Sequence, residues 1–163
     1  MVAIRDVLRT VCFAHHARLL LIGASPEVVE ALPGLDVEVV PWHEETEAEQ
    51  ISRMDIGIMP LPDGPWEKGK CGYKLIQYMA TGIPVVASPV GVNVDIVSKS
   101  QCGILASTSD DWANALDTLL RAQESRRQYG DAGRKAVERT YSLQVQSQVL
   151  SRIFNSIPLS KAG

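Results

Sequence analysis

Residues 54–97, MDIGIMPLPDGPWEKGKCGYKLIQYMATGIPVVASPVGVNVDIV, decide the fold. The run Asp55 to Pro60 (DIGIMP) predicts a strand, and Leu61 to Gly69 predicts a loop. A helical segment follows from about Cys71 to Ala80, stopped by Gly82 and Pro84, before a second strand at Val85-Val86-Ala87. Val92 to Val97 reads as a short helix and Gly103 to Leu105 as a further strand. Short apolar runs that alternate with helical-period segments mark stacked βαβ units around a parallel sheet. The class is α/β.

Working outward, Ile4, Val7, Leu8 and Val11 share one face of a helix over Ile4 to Ala14. Arg18 to Ile22 is the first strand, with Ser25 and Pro26 placed to cap and open a short helix through Ala31. Pro33-Gly34 turns the chain into Val37 to Val40, the second strand, which leads past Trp42 into an acidic helix, Glu44 to Arg53. Beyond Ser109 the strand signals cease. Ser109-Asp110-Asp111 is placed to cap a helix with Trp112, Ala115, Leu116, Leu119 and Leu120 on one face, and helices follow over about Glu124 to Arg139 and Leu143 to Ile157, ahead of a loose tail. We expect a single domain over residues 1–163.

Composition sets the outer limits. A chain of 163 residues buries roughly 70% of its unfolded surface, enough for one substantial core. Hydrophobic content of 45% and charged content of 21% are those of an ordinary soluble globular domain. The net charge of −3 gives no basic field for nucleic acid or an anionic membrane. No apolar run is long enough for a membrane span and no signal-peptide layout opens the chain, so a cytoplasmic location is expected. Cys12, Cys71 and Cys102 lack metal-site spacing and read as reduced thiols, two of them in the core. No metal or cofactor is expected.

Ligands of open parallel sheets bind beyond the carboxyl ends of the strands, where strand order reverses. There the loop from Pro62 to Lys74 gathers Gly64, Gly69 and Gly72 with Lys68, Lys70 and Lys74 just before a helix. Unpaired amides and a partial positive charge at the helix start, glycines that allow close approach, and ammonium groups together make an anion cradle. Lys68 and Lys74 read equally well as solvated surface charges. The Walker pattern of P-loop NTPases and the G-x-S-x-G elbow of hydrolases are both missing, and Ser88 has no histidine partner.

The same stretch resembles the donor-binding half of a family 4 glycosyltransferase of the GT-B fold. Gln77-Tyr78-Met79-Ala80-Thr81-Gly82-Ile83-Pro84-Val85-Val86-Ala87-Ser88 is similar to the second half of that family's E-G-F-G-x-x-x-x-E-A-M-A-x-G-x-P-V-V-A-S run, and Gly72 falls on its second glycine. Tyr129-Gly130 to Arg134 and Tyr141-Ser142 resemble its usual ending. The resemblance implies a domain that binds a nucleotide-diphosphate sugar for retaining glycosyl transfer. It implies that Gly69, Lys70, Cys71, Gly72, Tyr73 and Lys74 face the diphosphate. Gln77 stands where a glutamate binds the ribose hydroxyls, and Gly91 opens the loop after the fourth strand, with Asp95 near the family's acidic position. Gly69 replaces the family's first glutamate, whose contact to the sugar falls to a neighbour such as Asp63 or Glu67.

The family's domain begins with a strand and a basic clamp that precede the first helix here, and is paired with an acceptor-binding domain. A Rossmann-like sheet lacking its first strand renumbers to the doubly wound order 2-1-3-4-5; alternatively, another chain lends a strand and makes a homo-oligomer. Transfer is expected to need the acceptor-binding domain. The rival reading is a non-catalytic, truncated transferase fold kept as a protein-interaction module. His15, His16 and His43 lack supporting ligands and read as structural or surface residues. Trp42 and Trp66 read mainly as packing residues, Asp55 as capping or turn chemistry, and the acidic run Glu44, Glu45, Glu47, Glu49 as a solvated helix face.

Overall fold

The computed structural model describes residues 4–157; the tail from Pro158 lies outside them. The order of elements is α1 (Arg5–His15), β1 (Leu19–Ile22), β2 (Val37–Val40), α2 (Glu47–Ser52), β3 (Gly57–Met59), α3 (Pro65–Lys68), α4 (Tyr73–Ala80), β4 (Val85–Ala87), α5 (Val92–Ser100), β5 (Gly103–Leu105), α6 (Ser109–Arg121), α7 (Gln123–Ala136) and α8 (Leu143–Ser156). The α/β class and every expected strand are present. The acidic helix is shorter than its charge pattern suggested, because residues 44–46 form a turn. One helical turn, α3, lies inside the expected loop.

All strand pairs are parallel, but they form two sheets, β1-β2 and β3-β4-β5. This corrects the expected continuous order, since β1 and β3 do not pair. Helices on both faces, α1 with α6 and α2 with α4, pack across the junction. Strands of three or four residues offer too few ladder bonds to draw the edges together against that packing.

The core lies on both faces of β4, whose Val85, Val86 and Ala87 are fully buried. Val86 points into a cluster with Leu8, Val11, Leu19, Trp112, Leu116 and Leu119. Val85 and Ala87 point into the opposite cluster with Ile51, Leu75, Met79, Ile96 and Cys102. This is the two-faced burial of a central parallel strand. His15 Nε2 lies 2.7 Å from Asp117 Oδ1 and ties α1 to α6, the structural role expected of it.

The cap of α6 lies one residue earlier than expected. Thr108 Oγ1 accepts from the Asp111 amide at 3.1 Å, and Asp111 Oδ2 accepts from the Thr108 amide at 2.8 Å, a reciprocal capping box. Hydrogen bonds from the Thr108 backbone, the Thr108 side chain and the Ser107 backbone hold the Asp111 carboxyl below its ordinary value.

Because the folded value is the lower one, this contribution to stability is present above the unfolded aspartate range and disappears as pH falls through the folded value. Asp111→Asn should therefore flatten the acid limb of a Tm-against-pH curve. An unchanged limb would remove the carboxylate from the cap's energetics.

Helix α7 approaches the core through glycine. A Cβ on Gly130 would strike the Gly82 carbonyl, and one on Gly133 would come within 3.0 Å of Cys102 Cβ. We expect Gly130→Ala to cost about 1–3 kcal/mol in urea unfolding, as overpacking against rigid backbone does. Gly133→Ala meets the movable Met79 side chain as well and should cost less.

Candidate functional site

The carboxyl ends of β1, β2 and β3 surround a cleft of about 590 Å³. Its floor is β1 together with Ile58 and Met59; its rim carries Gly23, Ala24, Trp42, Glu47, Lys70, Lys74 and Gln77. After β1 the chain turns at Gly23, at φ +70°, where a side chain would collide with Trp42 Cβ at 2.9 Å. The Gly23 amide donates to the Val40 carbonyl at 2.9 Å, so the loops after both strands are fixed to each other.

One carboxylate organises the wall. Glu47 Oε1 accepts from the Trp42 indole N–H at 2.6 Å, and Glu47 Oε2 accepts from Gln77 Nε2 at 2.6 Å. The first turn of α2 is thereby joined to the loop after β2 and to the middle of α4. Both residues line the cleft, and Gln77 Oε1 and the remaining lone pairs of Glu47 can accept further hydrogen bonds.

The glycine-lysine segment leads into the same helix, α4. Helix α4 starts at Gly72, at φ +70°, with no side-chain cap, and its ladder begins with the Leu75 amide donating to the Gly72 carbonyl at 2.9 Å. The Tyr73 and Lys74 amides precede that bond, at the positive end of the helix dipole. Lys68 is held by Asp63 at 2.9 Å, a surface pair, whereas Lys70 Nζ stands 3.9 Å from Glu67 Oε1. Lys70 and Lys74 both line the cleft. Loop positions behind them are fixed by the Leu61 amide donating to Ser88 Oγ at 2.9 Å and by Asn93 Nδ2 donating to the Ser88 carbonyl at 3.1 Å.

Of the residues singled out in the sequence, Lys70, Lys74 and Gln77 line this cleft. Gly69, Cys71, Gly72 and Tyr73 make the connection beside it: Tyr73 is exposed, and Gly72 is buried against Ile96 and Val92. Gly91 sits elsewhere, opening α5 at φ +56°, where a Cβ would lie 2.7 Å from the Lys68 carbonyl oxygen. Its observed work is to let α5 abut α3. Asp95 is exposed and pairs with Lys99 at 3.2 Å. Trp66 projects from α3 into solvent at 79% exposure, so packing, its expected work, is not what the structure gives it.

Glu47 escaped the sequence reading because it lies in a run of four similar acids; only its thirty-residue reach to Gln77 distinguishes it. Asp55, expected to serve a turn, pairs with Arg126 at 3.4 Å. Of the cysteines, Cys102 is buried and its thiol is pushed up to about 11 by desolvation; Cys12 is half-buried and Cys71 exposed, so one thiol rather than two is fully core. Among the described residues no three His, Cys, Asp or Glu side chains converge as metal ligands, and no helix is long and apolar enough to cross a membrane.

The model of the glycosyl transferases group 1 matches residues 2–122, and the chain belongs to that family. It is 26% identical over 156 residues to N-acetyl-alpha-D-glucosaminyl L-malate synthase of Bacillus anthracis, covering 90% of this chain and 40% of the relative. It is 33% identical over 91 residues to phosphatidyl-myo-inositol mannosyltransferase of Mycobacterium leprae, covering 55% of this chain and 24% of the relative. The chain thus spans less than half of either relative.

Among solved structures, Anabaena Alr3699/HepE in complex with UDP and glucose superposes with a TM-score of 0.72 at 16% identity, over 95% of this chain and 44% of that one. The C-terminal domain of a glycosyl transferase group 1 family protein (LpcC) from Francisella tularensis superposes with a TM-score of 0.68 at 19% identity, over 88% of this chain and 80% of that one. The fold is therefore the Rossmann-like half of a GT-B enzyme.

The Glu47 bridge makes a direct prediction. In Glu47→Ala, the Trp42 indole N–H and the Gln77 side-chain amide should shift together in NMR spectra, while the indole signals of Trp66 and Trp112 stay in place. Movement of the Trp42 signal without Gln77 would show that no shared carboxylate joins them.

Proposed function

We propose that this domain binds the nucleotide diphosphate of a sugar donor in the 590 Å³ cleft and serves the donor side of a retaining glycosyl transfer. The observation that carries the reading is that Lys70 and Lys74 line one cleft with the Trp42–Glu47–Gln77 wall, beside the uncapped start of α4. The α4 amides and the Lys70 and Lys74 ammonium groups suit the diphosphate. Glu47 and Gln77 suit vicinal ribose hydroxyls, so the carboxylate lost at position 77 is replaced from α2.

Chemistry in such a cleft is electrostatic. As the bond from sugar to diphosphate breaks, negative charge grows on the leaving phosphate oxygens, and fixed donors stabilise it without reorganising. The attacking hydroxyl belongs to an acceptor delivered by an acceptor-binding domain. A homo-oligomer is the other arrangement that would close the cleft. The relatives' own donors and acceptors belong to those proteins; the family supports transfer from a nucleotide sugar and leaves its base and sugar to experiment.

A second reading, a non-catalytic interaction module, draws on Gly69 in place of the family's first glutamate and on the pairing of its nearby substitutes, Asp63 with Lys68 and Glu67 with Lys70. Calorimetric titration with UDP, GDP and ADP sugars separates the two. Donor binding is expected for at least one base, and Lys70→Ala and Lys74→Ala should each weaken it by about tenfold or more, the worth of a charge-assisted hydrogen bond. Absence of binding across the panel, or binding indifferent to both substitutions, would favour the interaction module.

A further inference from the structure

Among the described residues Ser88 and Asn93 are the buried polar side chains, and they are bonded to each other. Asn93 is 1% exposed, in the first turn of α5. Burying a side-chain amide costs free energy that its hydrogen bonds must offset, whereas leucine of nearly the same shape would fill the space at no such cost. An asparagine in this place therefore has work beyond packing.

One side of that work is a fastening to the sheet. Asn93 Nδ2 donates to the Ser88 carbonyl at 3.1 Å, one residue past β4. The Ser88 amide in turn donates to the Met59 carbonyl at 3.1 Å, so the acceptor is itself tied to the end of β3. The first turn of α5 is thus held to the carboxyl ends of two paired strands.

The other side concerns the connection that carries Lys70. Where that connection begins, Gly91, at the head of α5, packs on Lys68: a Cβ there would lie 2.7 Å from the Lys68 carbonyl oxygen and 3.0 Å from its Cα. Where it ends, Gly72 packs on α5: a Cβ would lie 2.5 Å from Ile96 Cδ1, 3.1 Å from Val92 Cγ2 and 3.8 Å from Asn93 Oδ1. The backbone from Gly69 to Gly72 is therefore strung between two close contacts with the start of α5. Lys70 lies within it, and Lys74 follows in the first turn of α4.

We infer that Asn93 is a positioning residue for the diphosphate. It acts through the backbone of Lys68 and Gly72, setting where the Lys70 and Lys74 ammonium groups stand on the cleft. The inference rests on the donor-binding reading above and adds to it a residue outside the cleft wall. Its physical basis is that fixed donors stabilise a phosphate most when they need not reorganise. Leucine at this position would keep the volume but leave the Ser88 carbonyl without its donor and the start of α5 free to shift.

The test is calorimetric titration of the full chain with whichever of the UDP, GDP and ADP sugars binds it. Asn93→Leu is compared with Leu116→Ala, a core truncation in the cluster on the opposite face of β4 that controls for lost stability alone. Asn93→Leu should weaken donor binding by about tenfold, as misplaced binding groups do, and should move the amide NMR signals of Lys70 and Gly72 in the ligand-free protein. Leu116→Ala should bind as the unaltered chain does. In a Lys70→Ala background, Asn93→Leu should cost less than it costs alone, because both changes act on one group. Should Asn93→Leu not fold, Asn93→Ala takes its place under the same readouts. Binding within about twofold of the unaltered chain would overturn the inference, since additive, uncoupled sites scatter by that much. So would unmoved Lys70 and Gly72 signals, or an equal loss of affinity in Leu116→Ala. If the unaltered chain binds no donor, the functional reading fails by itself, and the ligand-free signals still decide whether Asn93 sets the connection.

Discussion

The constraint on which the molecule depends is the double burial of β4. With Val85, Val86 and Ala87 withdrawn from water on both faces and both edges hydrogen-bonded, this strand is the partition between two apolar clusters. Everything attached to it inherits its position. The Ser88 hydroxyl and carbonyl, one residue past its end, accept from the Leu61 amide in the loop after β3 and from the Asn93 side chain in α5. Glycine appears where the backbone must come closest: at Gly103 under the Val85 carbonyl and at Gly130 under that of Gly82.

The polar chemistry is arranged around that partition with an economy of charge. Most of the acidic and basic side chains neutralise each other at the surface, as Asp63 with Lys68, Asp95 with Lys99 and Glu124 with Arg127. Lys74 is placed on the cleft by the first turn of α4, and Lys70 is tethered only at long range. Two ammonium groups are therefore placed beside the helix start, in a chain whose net charge is negative.

The alternation of apolar runs with helical-period segments made the α/β class and all five strands legible, because each run is short, apolar and bounded by Gly or Pro. Strand pairing was not legible to the same degree. The expected order assumed that β1 would close onto β3, and no local pattern reports whether helices on either face will hold two edges apart. In the site, Lys70, Lys74 and Gln77 were legible from glycine spacing and from the likeness of residues 77–88 to a known run. Glu47 was not, since its partner is fixed by tertiary packing and its neighbours share its chemistry. Gly91 carried the right conformational signal, a positive φ, but the reason for it is a helix packing on backbone.

The three thiols differ sharply in their setting. Cys102 is sealed in the core, and Cys12 is half-covered, with burial and the nearby Asp36 carboxylate both raising its pKa. Cys71 is open to solvent two residues ahead of α4. Alkylating reagents will accordingly discriminate among them without any engineering, and a fluorophore attached at Cys71 would sit in the connection beside the cleft.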